Sequence, residues 1–299
     1  MRKPFIVAEI SANHMGSLER ALLLIDLAKN AGADAVKFQT YQPQTLAPDP
    51  EYVIPSGPWA GSKARDLYCQ AQTPRRWHQT LFAYARAVGI EPFSTPFSPD
   101  DVDFLEEFDC PRYKIASFEL VDHELIRYAA STRKPVILSA GMATYDEIAA
   151  AIEAASASCE ITLLKCTSGY PAPIREANLM TLFEYIDRFF PEVQMFGISD
   201  HTPGINVPIA ATAIGADMIE KHMTMRRDEG GPDAAFSLEP AEFTQMVAGC
   251  RDAADALGER QCGPTESEKT QLAFRGRTLK SRSSAVAAEH GKNVNEIKQ

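Results

Sequence analysis

The sequence lacks the features of several large classes. No run of about 18 apolar residues occurs, so no stretch reads as a membrane-spanning helix. The basic start MRKPFIVAEI loses its apolar character at Glu9, which makes it a first strand rather than a signal peptide. Only six cysteines are present (Cys69, Cys110, Cys159, Cys166, Cys250, Cys262), scattered and without a C-x-x-C pair. That argues against a disulfide framework and a cysteine metal site, and for reduced thiols in the cytoplasm. Basic charge is short as well. A net charge of −10 argues against a nucleic-acid coat, and an anionic ligand would need local lysines within a generally acidic field.

What is present is a repeat of short apolar runs. With 299 residues, 45% of them hydrophobic, the chain can bury a large core. Eight β-branched or apolar runs stand out: 5–10, 35–40, 91–97, 112–117, 135–140, 161–167, 194–200 and 218–224. Between most of them lie segments with helical spacing. In SLERALLLIDLAKNAGA, Leu18, Ala21, Leu22, Ile25 and Ala28 share one face and Gly32 closes the helix. Strand and helix alternating eight times predict an α/β chain folded as a closed parallel (β/α)8 TIM barrel. A doubly wound open sheet competes, but eight units in this length is the count a barrel needs. The barrel is expected over 1–260 as the catalytic domain. The polar, basic segment 261–299 reads as a linker or tail. The Pro-rich stretch 41–73 is long enough for a lid, although a tolerated insertion would look the same.

Barrel chemistry sits at the C-terminal ends of strands. Those ends carry Glu9, Ser11, Asn13 and His14; Lys37 and Gln39; Ser94 and Thr95; Lys114, Ser117 and Glu119; Ser139; Thr167, Ser168 and Tyr170; Ser199, Asp200 and His201; and Glu220, Lys221 and His222. Buried polar groups are costly without partners, so such a ring points to a polar ligand. His201 and His222 end adjacent strands, whose backbones lie roughly 5 Å apart in a sheet, and could share one divalent ion. Lys37 and Lys114 could hold a phosphate and a carboxylate, with Ser94, Thr95, Ser117 and Ser139 as neutral donors. Lys221 has the opposite parity to His222 and would need a carboxylate on the helix side. His78, His123 and His290 read as packing or solvated residues, while His14 lies at the right rim but could equally anchor the first loop.

The strings AEISANHMGSLERA, GADAVKFQT, FSTPF, YKIASFE, KPVILSAGMAT, KCTSGYPAP, GISDHTPG, GADMIEKHMT and GPDAAFSLEP resemble, in order and spacing, the sialic acid synthase family. They cover residues 5 to about 257. The resemblance implies a metal-dependent condensation of phosphoenolpyruvate with an open-chain hexosamine aldehyde, giving a nine-carbon 2-keto acid and phosphate. It implies manganese, with magnesium or cobalt as alternatives, on His201 and His222. It places Lys37, Ser94, Thr95, Lys114, Ser117, Ser139, Ser168 and Ser199 around phosphoenolpyruvate, and Glu9, Gln39, Glu119, Tyr170 and Asp233 toward the sugar. Glu119 or the metal-bound water is the expected base and the lysines the expected stabilisers of phosphate, with Glu119, Lys114, Glu9, His201 and His222 as the expected catalytic set. SANH with GSLE, the loop WAGSKARDLYCQAQTPRRWH and SFE are similar to the branch that makes pseudaminic acid from a 2,4-diacetamido-2,4,6-trideoxy sugar. GPDAAFSLEP is nearer the neuraminate and legionaminate branches. Members of the family are homodimers and continue into a small antifreeze-like domain. Here that domain is expected to be cut short or supplied by a separate polypeptide. A barrel that binds these ligands without turning them over, and an aldolase making other 3-deoxy keto acids, are the competing readings.

Overall fold

The computed structural model describes residues 3–156, 159–259 and 261–275. Its strands are β1 (Phe5–Glu9), β2 (Ala35–Thr40), β3 (Glu91–Pro96), β4 (Tyr113–Ile115), β5 (Val136–Ser139), β6 (Ile161–Cys166), β7 (Met195–Asp200) and β8 (Met218–His222). Each pairs in parallel with its neighbour in sequence, and β1 also pairs with β8, so the sheet closes into the expected barrel. Strands buried on both faces read as continuous apolar runs, which is why β5 (VILS) is buried at every position. β4 is shorter than its sequence run because the chain turns away after Ile115. The Ser117 hydroxyl there accepts the Gly141 N–H at 3.1 Å.

The helices are α1 (Leu18–Asn30), α2 (Pro43–Leu46), α3 (Ala64–Ala71), α4 (His78–Ala87), α5 (Pro99–Glu106), α6 (His123–Ser131), α7 (Tyr145–Ser156), α8 (Thr181–Phe189), α9 (Asn206–Ala213) and α10 (Pro240–Leu257). α1 starts where the Ser17 side chain accepts the Arg20 N–H, and it stops before Gly32, whose φ of +90° suits glycine. It buries Ala21, Leu24, Ile25 and Ala28, while Leu22 stays half-buried. None of the described helices is long and apolar enough to cross a membrane. Contacts divide the chain after Gly258, and the described part of the second unit holds one 3-10 run, Glu266–Phe274. Most of the expected tail, 276–299 with His290, lies outside the described residues.

Gly197 lets β7 and β8 approach each other. A Cβ there would lie 2.1 Å from the Met218 carbonyl oxygen, directly across the ladder. Both atoms belong to the barrel wall, so neither can step aside. Gly197→Ala is expected to destabilise the barrel by at least about 2 kcal/mol, seen as a lowered midpoint in thermal unfolding. An unchanged midpoint would show that the strands can part at this point.

Candidate active site

Strand parity sorts the rim residues into two layers. Lys37 and Gln39 of β2, Thr95 of β3, Lys114 of β4, Ser139 of β5, Cys166 of β6, Ser199 of β7, and Glu220 and His222 of β8 all line one cavity of about 340 Å³. His201, just beyond β7, and Ser117, Glu119, Tyr170 and Asp233 from the loops complete its polar wall. That volume suits a small polar ligand pair.

The floor is a charge network. Lys37 forms a direct ion pair with Glu9 and lies 3.8 Å from Glu220. It also donates to Thr95 Oγ1 at 3.4 Å. The Ser199 hydroxyl donates to Glu220 Oε1 at 2.8 Å. Burial opposes the charge on Lys37, but Glu220 and Glu9 outweigh it and raise its pKa. Burial likewise opposes ionisation of Glu220, and Lys114 and Lys37 overcome it and lower its pKa. Lys114 differs. Among the described residues its ammonium has no carboxylate at ion-pair distance and donates only to the Ile115 carbonyl, at 3.2 Å. Burial therefore lowers its pKa, with only partial relief from Glu220.

Among the described residues, four buried polar atoms around this cavity have no hydrogen-bond partner: Ser139 Oγ, Glu119 Oε2, Glu220 Oε2 and His222 Nδ1. Isolated orphans of this kind are rare in folded proteins. Four of them facing one space mark a site whose partners are ligand atoms. Burial pushes Glu119 up to about 7. Burial, reinforced by Glu9, pushes Asp233 up to about 7 as well. Near neutral pH these two acids are therefore only partly charged, which eases the conflict between an acidic protein and an anionic ligand.

The two histidine rings stand 5.3 Å apart, on a shelf made by Phe236. His201 Nδ1 is 3.1 Å from the Thr167 carbonyl, which leaves Nε2 for a ligand. Burial and then His201 hold the His222 pKa well below its ordinary value, so this imidazole is neutral, the form that binds metals. Asp233 Oδ2 lies 3.5 Å from His222 Nδ1. No group of three or more potential ligand side chains surrounds a single point among the described residues. Two histidines with an orphaned nitrogen fit a divalent ion that completes its shell with water and substrate.

Other expected residues lie elsewhere. Ser94 is not in the cavity. Thr95 takes the inward position, so Ser94 must face the helices, where its hydroxyl is 2.6 Å from that of Thr40, which is 2.8 Å from His78 Nε2. Ser168 sits one step back, 3.8 Å from the Cys166 sulfur. Lys221 does turn outward, and its carboxylate partner is Asp200 at 2.6 Å. His14 anchors the first loop, edge-on to Trp77, and His78 packs against Phe82 and Phe104. Among the strand residues that line the cavity, two carried no assignment from the sequence. Glu220 shares its parity with His222, and the rule that paired Lys37 with Gln39 would have found it. Cys166 is brought to the wall by its register opposite Ser199. Burial raises its thiol pKa, but the His201 ring, with Nδ1 3.7 Å from the sulfur, brings it down to about 7.

The model of the NeuB family matches residues 24–262. The chain belongs to the NeuB family. Similar proteins include the pseudaminic acid synthase of Campylobacter jejuni subsp. jejuni serotype O:2, 44% identical over 263 residues, which cover 86% of this chain and 76% of that one. The pseudaminic acid synthase of Helicobacter pylori is 42% identical over 266 residues, covering 87% and 77%. Among solved structures, the N-acetylneuraminic acid (sialic acid) synthetase of Leptospira borgpetersenii serovar Hardjo-bovis in complex with citrate superposes with a TM-score of 0.82. It is 32% identical, with 92% of each chain covered. The barrel of that solved structure is therefore also the fold of this chain.

Proposed function

We propose that the chain condenses phosphoenolpyruvate with an open-chain 2,4-diacetamido-2,4,6-trideoxyhexose and water to give pseudaminic acid and phosphate. The observation that carries this is Lys114, a buried ammonium at the cavity floor without a carboxylate at ion-pair distance among the described residues. An unpaired buried cation is unfavourable until an anion arrives, and Ser139 Oγ is an orphaned donor on the same wall. The two pseudaminic acid synthases above support the choice of sugar. In this reading residues 1–260 form the catalytic domain and 261–299 a linker.

Lys37, Lys114, Thr95, Ser117, Ser139 and Ser199 bind the phosphate and carboxylate of phosphoenolpyruvate and fix its methylene carbon, the nucleophile, beside the aldehyde. Gln39, Tyr170, Glu9 and Asp233 face the sugar. A divalent ion such as manganese, held by His201 and His222, would supply Lewis acidity at the aldehyde oxygen. As the new carbon–carbon bond forms, positive charge develops at the former enol carbon. Water adds there with loss of a proton to Glu119, which is poised near neutrality for that task. Carbon–oxygen cleavage then expels phosphate, stabilised by the two lysines.

Purified protein is expected to release phosphate from phosphoenolpyruvate only when the sugar is also present, and mass spectrometry should show the nine-carbon acid. Chelation should abolish turnover, and His201→Ala should also lose bound metal by elemental analysis. Absence of product with the pseudaminate, legionaminate and neuraminate precursors alike would overturn the reading.

A further inference from the structure

We infer that the connection from β2 to α4 acts as the sugar selector. Its inner face is an apolar wall that receives the end of the sugar remote from the aldehyde, and it favours a methyl group there over a free hydroxyl. This rests on the function proposed above and deepens it.

Residues 41–73 are sorted with respect to the cavity. Leu46, Ile54, Trp59, Leu67, Tyr68 and Ala71 line it, together with Tyr41. The charged residues of the same segment point elsewhere. Lys63 pairs with Glu51 at 2.8 Å, and Arg65 donates to the Ala47 carbonyl at 2.8 Å. No charged side chain of the lid reaches the cavity. The polar handles of its aromatic residues are mostly spent within the protein. Tyr41 OH donates to the Tyr68 carbonyl at 3.2 Å, and Trp59 Nε1 donates to the Pro232 carbonyl at 3.0 Å. Trp59 also rests on the Tyr170 ring, 5.4 Å between centroids, which holds the lid across the opening. Among the aromatic lid residues that line the cavity, the Tyr68 hydroxyl is the remaining side-chain handle.

The cavity is thus polar at the strand ends and apolar at the lid. The reacting end of the sugar, with the aldehyde, belongs at the polar end beside His201 and His222. Its far end then meets Ile54 and Leu67. A methyl group loses nothing against such a wall, whereas a hydroxyl leaves water without gaining a partner. An apolar pocket rejects one added hydroxyl by about 10²-fold.

The test compares kcat/KM for a 2,4-diacetamido-2,4,6-trideoxyhexose and for N-acetylmannosamine, which keeps hydroxyls at carbons 4 and 6. Wild type is expected to prefer the former by about 10²-fold or more. Ile54→Asn and Leu67→Gln should each narrow that preference about tenfold through KM for the sugar, while KM for phosphoenolpyruvate is unchanged. Ile54→Thr, a smaller change to the same wall, should narrow it in the same direction and serves where the larger substitutions do not fold. A wild type that turns over the diacetamido sugar with preference, but whose folded variants keep the same ratio, overturns the wall and leaves the proposed reaction standing. A wild type that turns over neither sugar removes both.

Discussion

Glu119→Gln is expected to lower kcat by about 10²–10⁴-fold, the usual worth of a positioned general acid or base, with little change in KM for phosphoenolpyruvate. The amide keeps the shape of the side chain and cannot carry the proton. Wild-type activity should fall as pH drops through about 7, where Glu119 becomes protonated, and the variant should lose that limb. Asp233 is also pushed up to about 7, so Asp233→Asn is the control that separates the two acids. The same substitution has a stability signature of opposite sign. Burial holds the folded pKa of Glu119 near 7, against 4.5 for an unperturbed glutamate. Its contribution is fully present below about pH 4.5 and is lost as pH rises through about 7. Glutamine carries no such penalty, so the variant should be more stable than wild type at pH 8, by about 1–3 kcal/mol at most given that the group is partly exposed. That advantage should shrink toward zero as the pH falls toward 4.5. A variant within a few-fold of wild-type kcat would remove Glu119 from the chemistry.

The barrel was legible in the sequence because parallel strands buried on both faces leave unbroken apolar runs, and all eight appear within a few residues of their expected places. Much of the site was legible for the same reason, since strand ends can be read and parity then gives direction. Lys37 and Gln39 face inward together and Lys221 faces out. Ser94 shows the cost of setting parity aside. In FSTPF, serine and threonine are adjacent and a strand can turn only one of them inward. Glu220 was passed over for the more conspicuous His222 two positions away. The lid residues were beyond reach for another reason. α2 and α3 are too short to show a period, and Trp59 reaches the site through contacts with Pro232 and Tyr170, distant in sequence. Phe236, the shelf under both histidines, lies on a 3-10 turn with no repeating pattern.

Lys221→Met is expected to destabilise the fold by about 3–5 kcal/mol, the cost of stranding one member of a buried ion pair. Lys221 and Asp200 are opposite each other across β7 and β8 and are almost wholly buried on the helix side. The ammonium donates to Asp200 and to the Thr202 carbonyl, while Asp200 accepts the Thr202 N–H at 3.0 Å and its hydroxyl at 3.1 Å. Without the lysine, the carboxylate remains buried with neutral donors alone. At about 2–4 °C per kcal/mol, the melting temperature should fall on the order of 10 °C. Asp200→Asn in the same chain should recover most of the loss, because asparagine still offers an oxygen to Thr202 and no charge is stranded. The pair also matters for the site. The residues flanking it, Ser199 and His201 beside Asp200 and Glu220 and His222 beside Lys221, are among those that face the cavity. A slip of one residue would turn both sets away from it. Lys221→Met should therefore weaken binding of a divalent ion, measured by calorimetry at a temperature where the variant is folded, although residue 221 itself points away from the cavity. The double variant should bind the ion more tightly than the single one. Equal ion affinity in wild type and Lys221→Met would reduce the pair to a stabilising contact with no hold on the histidines.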